Sequence, residues 1–507
     1  MSLALSAALA ATPIAVLLGS MLGLRWSTAV AGTVALVVAL IIGFAGFAYG
    51  ADELGPARAV IGALAEAGFS AFSIAWILLP ALAIHHLQQR TGSIETLQRA
   101  LRRATDDPAI AALLIAWFFA LFLEGAAGFG TPVALAAPFL VSAGLQPIQA
   151  VALVLIGHAA GVSFGAIGTP IQAQAVTAGI DPLELARATG LYVAILGWVV
   201  PLAMMVMVRR DSDAPASPRG RALWLWAVAA AALFIAPYFA ISRWVGPELP
   251  TLVGGLAGGV TFAMLWQLRG GRGRGADDPP LPARRVLRAS APYLLVVAIV
   301  LITRLIEPIR EALAVRWEWS LYARFDGDIR LLQHPGTLLL GSLVLGALVQ
   351  RASPRAVGSA IAQAARRLIP VVVALIAVLA LSRVMVHAGM IDALARAAAR
   401  APGPVWAMLA PFVGVLGTFV TGSATASNLL FTELQAATAA ETDLEIPRAL
   451  AAQGFGAAAG NMIAPMNLVA GAATVGLVGR EGEILRRTLG VCIGYGLLGG
   501  LVTWLLR

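Results

Sequence analysis

Apolar runs of about 20 residues, separated by short arginine-rich turns, follow one another along almost the whole chain. In lipid the backbone N–H and C=O groups find no water, so a run of that length must satisfy them internally as a helix. Strand-length segments with a two-residue alternation, the mark of a membrane barrel, do not occur in the pattern. Only 12% of the residues are charged and 59% are hydrophobic, against about 25% charged in a soluble domain. So little polar surface could not cover a soluble body of 507 residues. The chain reads as an all-α polytopic membrane protein.

The runs that qualify as spans are 3–24, 28–49, 57–87, 109–123, 147–167, 185–208, 222–241, 247–268, 291–307, 336–350, 368–387, 404–420, 447–464 and 485–506. The first has no basic leader and runs straight into further spans, so it reads as a transmembrane helix and not as a cleaved signal. The run 57–87 is overlong, hence tilted or partly interfacial. Four more apolar pieces, near 130–143, 170–179, 428–440 and 465–478, are too short to cross alone. They suit re-entrant or half-helices, which are tolerated where protein or a watery cavity surrounds them. The net charge of +9 comes mostly from arginines in short loops, where the positive-inside rule expects them, and does not point to nucleic acid. The basic loops 209–221 and 269–288 are separated by two spans, so both can face the cytoplasm. The single cysteine, Cys492, lies in the last run and rules out an intramolecular disulfide or a Cys-based metal site.

The chain carries an internal match. TGSIETLQRALRRA from Thr91 resembles AGMIDALARAAARA from Ala388, 297 positions on. The same offset takes Arg99 to Arg396, Arg103 to Arg400 and Glu124 to Thr421. It lays EGAAGFGT, from Glu124, over TGSATASN, from Thr421. GVSFGAIGTPIQ from Gly161 and GAAAGNMIAPMN from Gly456 share a G-x3-G-x4-P pattern at an offset of 295. Residues 1–208 therefore form a first repeat with the N-terminal spans, 209–290 connecting basic loops and a helical hairpin, and 291–507 a second repeat. Transporters are often built from such repeats; whether the halves are inverted is a question of parity that the span count leaves open.

Each half holds two interrupted segments, Glu124–Pro132 and Gly161–Gln172, then Thr421–Asn428 and Gly456–Asn467. A helix that restarts at membrane depth offers free N–H groups and a partial positive charge to an anion. Glycines let the backbone turn and a ligand approach: Gly125, Gly128, Gly130, Gly165, Gly168 and Gly422, with Ala126 between them. Thr131, Thr169, Ser423, Thr425, Ser427, Asn428, Asn461 and Asn467 place neutral polar groups beside the helix ends. Such a site suits a small carboxylate. The competing account of the glycines is close helix packing, which leaves the accompanying prolines, hydroxyls and amides unexplained. Glu124 is either a proton or substrate group lining a cavity or a structural carboxylate, since a buried charge in a membrane is costly. His158, alone in an apolar run, either exchanges protons or packs. His85 and His86 look interfacial. Arg383 either snorkels or holds a carboxylate, and Glu433 is either the second half's acid or a solvated group. GAAGFG opens no Rossmann unit, and the sequence holds no Walker A, HExxH or G-x-S-x-G motif. The reading is a transporter and not an enzyme, with no cofactor and no metal. Without an ATP site it would run on an ion gradient.

FLEGAAGFGTPVALAAPFLVSAG from Phe122, FGAIGTPI from Phe164 and VTGSATASNLLFTELQAATA from Val420 resemble the lactate permease family. NMIAP from Asn461, VGLVGREGEILRRT from Val475 and the lead-in from Thr91 extend the resemblance over most of both halves. It implies a bacterial-type inner-membrane symporter that moves lactate, glycolate or related 2-hydroxy monocarboxylates with a proton; a sodium ion stays open as the driver. It also implies inverted repeats with re-entrant hairpins. A dicarboxylate or sulfonate transporter of the same build, or a passive anion channel, are the alternatives. The partners are a small carboxylate and the bilayer, and a homodimer is compatible with the sequence. Three positions depart from the family's usual residues: Ala424 replaces an Asp, Asn461 a Lys, and His158 an Asn. The missing Asp and Lys remove one charge of each sign, as a lost ion pair would.

Overall fold

The computed structural model describes residues 1–506 except 25, 52, 103–104, 106, 129, 212–220, 271–281, 401–404 and 443. Arg103, most of the loop 209–221 and the middle of the linker 269–288 thus lie outside the described residues.

The first half runs α1 (Leu3–Gly23), α2 (Thr28–Gly46), α3 (Pro56–Arg90), α4 (Ser93–Arg102) and α5 (Pro108–Ala111). A π-helical stretch, Ala112–Phe119, joins α5 to α6 (Ala120–Ala126). Then come α7 (Thr131–Ser142), α8 (Pro147–Ala159), a 3-10 turn Val162–Phe164, α9 (Gly165–Ala178), α10 (Pro182–Leu196) and α11 (Val199–Asp211). A hairpin of α12 (Arg221–Trp244) and α13 (Pro250–Leu268) follows. The second half comprises α14 (Ala283–Leu305), α15 (Glu307–Ala312), strands β1 (Trp317–Leu321) and β2 (Phe325–Ile329), α16 (Pro335–Gln350), α17 (Pro354–His387) and α18 (Met390–Arg400). It ends with α19 (Trp406–Thr421), α20 (Ala424–Ala440), α21 (Ile446–Gly460), α22 (Pro465–Thr474) and α23 (Glu481–Leu505). Among the described residues ten helices are long and apolar enough to cross a membrane, or eleven with the bent pair Pro147–Ala159 and Val162–Ala178.

Local chemistry sets the helix starts. Proline opens α3, α8, α10, α13, α16 and α17, where its missing N–H has no intrahelical partner to lose. Asp181 and Ser353 cap α10 and α17 by accepting from backbone N–H groups of the first turn.

The long helices α3 and α17 pack along each other, and two contacts fix their direction. His387 at the end of α17 meets Glu66 near the start of α3 at 2.8 Å, while Arg90 at the end of α3 reaches Gln363 near the start of α17 at 3.4 Å. The two helices, at matching positions in the repeat, are antiparallel. Around them α2 packs on α17 as α16 packs on α3, and α1 packs on α18 as α14 packs on α4.

Several spans differ from the sequence reading. The run 147–167 is not one span: it stops at Ala159 and turns through 63° into Val162–Ala178, taking in the short piece 170–179. The run 447–464 ends at Gly460 after 15 residues. By contrast 368–387 is the inner part of a 34-residue helix whose first turns carry Arg355, Arg366 and Arg367; those charges cut the apolar run but not the helix. α14 begins at Ala283, inside the stretch assigned to the connection. One feature is not helical: β1 and β2 pair antiparallel, Trp317 with Ile329 through Leu321 with Phe325. The hairpin lies on the first turns of α3, where Phe325 fills the space left by Gly62 and Trp319 tilts against Phe69 at 5.7 Å.

Candidate functional site

Four helix breaks organise the site. The first lies between α6 and α7, where Gly128 (φ 58°) and Gly130 (φ 73°) adopt the left-handed conformation that glycine takes without strain. The second follows α8. There Ala166, Ile167 and Gly168 are all left-handed before the helix resumes at Thr169 and Pro170. A non-glycine residue with positive φ costs energy and marks a site whose surroundings over-determine it. The third is Gly422–Ser423, with Gly422 left-handed and Ser423 capping α20 through Ala426 N. The fourth is Asn461–Ala464 before Pro465.

These breaks meet in a closed ring. Gly128 lies against Ala166, joining the first to the second. Val162 clusters with Ala424, Ala457 and Ala458, and the Asn428 side-chain amide donates to the Pro170 carbonyl at 3.1 Å, joining the second to the third. Gly422 faces the Met466 sulfur, joining the third to the fourth. Asn467 Oδ1 stands 3.5 Å from the place a Cβ on Gly130 would take, joining the fourth back to the first. Interrupted helices are tolerated at membrane depth only where protein or a cavity encloses them, and here they enclose one another.

Glu124 sits at the end of α6, between the first and second breaks, and is 6% exposed. Its Oε1 occupies the space that a Cβ on Gly165 would need, and it also faces Gly128 at 3.4 Å from that residue's Cβ position. Among the described residues no hydrogen-bond donor or cation meets the carboxylate. Glu124 therefore stands on the last turn before the first break and rests on the backbone of the second. His158, one turn ahead of the second break, is buried and its Nδ1–H donates to the Val154 carbonyl at 2.8 Å. That leaves Nε2 as the exchangeable nitrogen. No hydrogen bond links His158 to Glu124.

The remaining candidate residues divide by what they touch. Thr131 and Thr425 are almost buried, and their hydroxyls make no hydrogen bond among the described residues. Asn467 donates to Asn461 Oδ1 at 2.9 Å, and Asn461 in turn donates to the Ala457 carbonyl. Thr169 donates to the Ala166 carbonyl and so holds the backbone of the second break, while Ser427 donates to the Gly414 carbonyl at 2.9 Å and ties α20 to α19. Gly125 faces the backbone of Leu252 on α13, and Gly168 faces the Pro247 carbonyl. For these two glycines close packing is the observed role. Ala126 is buried beside them.

The α12–α13 hairpin is more than the connection the sequence suggested. Its tip, Gly246–Pro250, is buried and reaches the second break. Glu248 there is fully buried, pairs with Arg304 at 2.6 Å and accepts from Gln172 at 3.3 Å. Sequence reasoning missed this residue because its cation lies 56 positions away on another helix. Arg383 is also engaged: it pairs with Glu433 at 3.1 Å, approaches Glu66 at 3.8 Å and donates to the Thr177 carbonyl at the end of α9. His85 and His86 are buried near the end of α3, away from the breaks.

A sequence model of the L-lactate permease family matches residues 6–326 and 325–507. An L-lactate permease of Streptococcus iniae is 30% identical over 438 residues, spanning 85% of this chain and 90% of the relative. One of Bacillus subtilis is 28% identical over 99% of this chain and 96% of its own length, and the glycolate permease GlcA of Escherichia coli is equally similar over the same shares. Among solved structures, the Alcanivorax borkumensis YdaH transporter, described as having an unusual topology, aligns with a TM-score of 0.55 at 14% identity over 94% of this chain and 98% of that one. Neisseria gonorrhoeae MtrF aligns at 0.52 and 14% over 94% of each. At such identity the likeness concerns the fold alone.

Proposed function

Because the chain belongs to the L-lactate permease family, it is a multi-pass permease of the bacterial inner membrane and not an enzyme, and we propose that it carries a small 2-hydroxy monocarboxylate together with a proton. The observation that carries this reading is the set of four adjoining helix breaks with a lone buried carboxylate, Glu124, between the first two. The relatives are named for L-lactate and glycolate, which share a carboxylate with a hydroxyl beside it. Helices α7, α20 and α22, and α9 from Thr169, each direct an N-terminus at a break, and each such end carries roughly half a positive charge. Those ends hold the substrate carboxylate without a lysine or arginine. The free hydroxyls of Thr131 and Thr425 stand by for the substrate hydroxyl.

The same enclosure supplies the coupling. Two like charges a few ångströms apart in a site shielded from water disfavour each other strongly. The substrate anion therefore enters with Glu124 carrying a proton, and the pair crosses with no added charge. His158 Nε2, on the helix leading to the second break, is the second group available for that proton.

Replacing Glu124 by Gln mimics the permanently protonated side chain. In proteoliposomes, Glu124→Gln is expected to abolish uphill lactate or glycolate uptake driven by a pH gradient while retaining exchange of labelled for unlabelled substrate. Undiminished gradient-driven uptake removes Glu124 from coupling. Absence of any lactate or glycolate exchange in the parent protein overturns the assigned cargo.

A further inference from the structure

We propose that a basic recess where α4, α14 and α16 meet binds the phosphate-bearing headgroup of an anionic phospholipid. The recess has a volume of about 570 Å³ and is walled by Arg284, Arg285, Arg288 and Arg351, with Ser93 and Thr96 opposite them. None of these four arginines has an ion-pair partner among the described residues. Glu95, exposed on α4, does not line the recess. Two helices begin at its wall, α4 at Ser93 and α14 at Ala283, and their N-terminal N–H groups add to the positive potential. The Thr96 hydroxyl donates to the Gly92 carbonyl and Ser93 shares a hydrogen bond with Thr91, so the donors are the guanidinium groups and the helix N-termini, a set that matches a phosphodiester better than a carboxylic substrate, which needs fewer donors. The helix breaks of the transport site do not line this recess.

A second observation distinguishes a lipid from a soluble phosphate. Gln350 closes the recess at the end of α16. Seven and ten residues earlier on that helix, Leu343 and Leu340 line a narrow apolar crevice of about 50 Å³ together with Trp76, Pro80 and Ala83 of α3. Spacings of seven and three residues keep Gln350, Leu343 and Leu340 on one face of α16. The cationic recess and the apolar crevice are separate cavities that lie one after the other along one stripe of α16, the crevice about two turns nearer the middle of the helix. That is the order of a headgroup and its acyl chain, and basic pockets between membrane helices on the cytoplasmic side bind acidic headgroups. The fold itself does not demand the charge. The equivalent junction in the other half is built by α18, α1 and α2, and α1 and α2 contain no arginine.

The test is lipid retention by the purified full-length protein, read by native mass spectrometry after mixing with phosphatidylglycerol or, separately, phosphatidylcholine. Phosphatidylglycerol adducts are expected to persist and phosphatidylcholine adducts to be lost. Removing two juxtamembrane cations, Arg285→Gln with Arg288→Gln, should lower phosphatidylglycerol retention by about tenfold or more. The double lysine variant, which keeps the charge, should retain most of it. Inorganic phosphate at matched concentration should not displace the lipid. Equal retention of the two lipids, or unchanged retention in the glutamine variant, overturns the proposal. Displacement by inorganic phosphate assigns the recess to a soluble phosphate and overturns the lipid. Should the glutamine variant fail to melt cooperatively in detergent, Arg351→Gln at the rim decides the matter by the same readout.

Discussion

Gly165 is where one missing methyl group decides the site. A Cβ there would collide with Oε1 of Glu124, so the carboxylate rests on the second break only because that residue is glycine. Gly165→Ala should push the Glu124 carboxylate off its seat at little cost in stability, because the clashing atom is the free end of a flexible side chain that can rotate away. A displacement near 1 Å in a positioned group can cost on the order of 100-fold in rate. Uptake of labelled substrate by the variant, at equal membrane expression, should therefore fall by about that factor; uptake equal to the parent's would show that the contact has no functional weight. Glu124 was legible in the sequence because it is the one charge in LFLEGAAGFGTPVALAAPFL. Glu248 was not: GPELP reads as an ordinary turn, and only the fold brings Arg304 and Gln172 to it. Arg383 and Glu433 were visible singly and left as alternatives, because a sequence does not say that residues 50 apart will pair.

At the scale of elements, the helix breaks were legible and the helix lengths less so. Glycine, proline and small polar residues clustered in four places, and all four are interrupted in the structure. Hydropathy alone misplaced the ends, since it could not tell a buried helix that stops, as α8 does at Ala159, from one that spans. It also could not see the strands β1 and β2, each five residues long and held by α3. The third and fourth breaks bear on the two departures from the usual family residues. Ala424 shares a small cluster with Ala457 and Ala458, and Asn461 donates to the Ala457 carbonyl at 3.1 Å. Positions 424 and 461 thus flank the same turn of α21. A single charge at either should be poorly tolerated, at about 2.5–3.5 kcal/mol for an unpaired charge at membrane depth. Ala424→Asp and Asn461→Lys should each depress lactate uptake, and the double variant should recover it. Uptake by Asn461→Lys alone as high as by the double variant would mean that the lysine acts without its partner and that a pair was never the reason for the joint loss.

For the whole molecule, the question is how two related halves face each other across the bilayer. Helices α3 and α17 occupy matching places in the repeat yet run antiparallel, as the contacts Glu66 to His387 and Arg90 to Gln363 require. A duplicated unit whose equivalent helices point in opposite directions is what an inverted repeat would give. We therefore favour inversion, with the two long helices at the junction of the halves, α9 packed on α3 and α20 on α17. The antiparallel pair also sorts the loops. The end of α3 and the start of α17 lie on one face, with Arg90, Arg284, Arg285, Arg288, Arg351 and Arg355. The start of α3 and the end of α17 lie on the other, with the strand hairpin, where Arg316 is held by Asp328 and Glu318. The second face also carries Arg58, Arg310, Arg324 and Arg330, with Arg396 and Arg400 on α18, while the first adds Arg99 on α4 and Arg366 and Arg367 on α17; the first face, the richer of the two in arginine, is assigned to the cytoplasm by the positive-inside rule. A cysteine background of Cys492→Ser allows this to be checked, because Cys492 is the one native thiol. Tyr322→Cys, in the exposed turn of the hairpin, should react with a membrane-impermeant maleimide in spheroplasts. Arg351→Cys should react only after the membrane is permeabilised. Labelling of both from the same side would place the ends of α3 together and rule out the inverted arrangement, whereas labelling of each from the side opposite to that stated would keep the inversion and reverse the orientation.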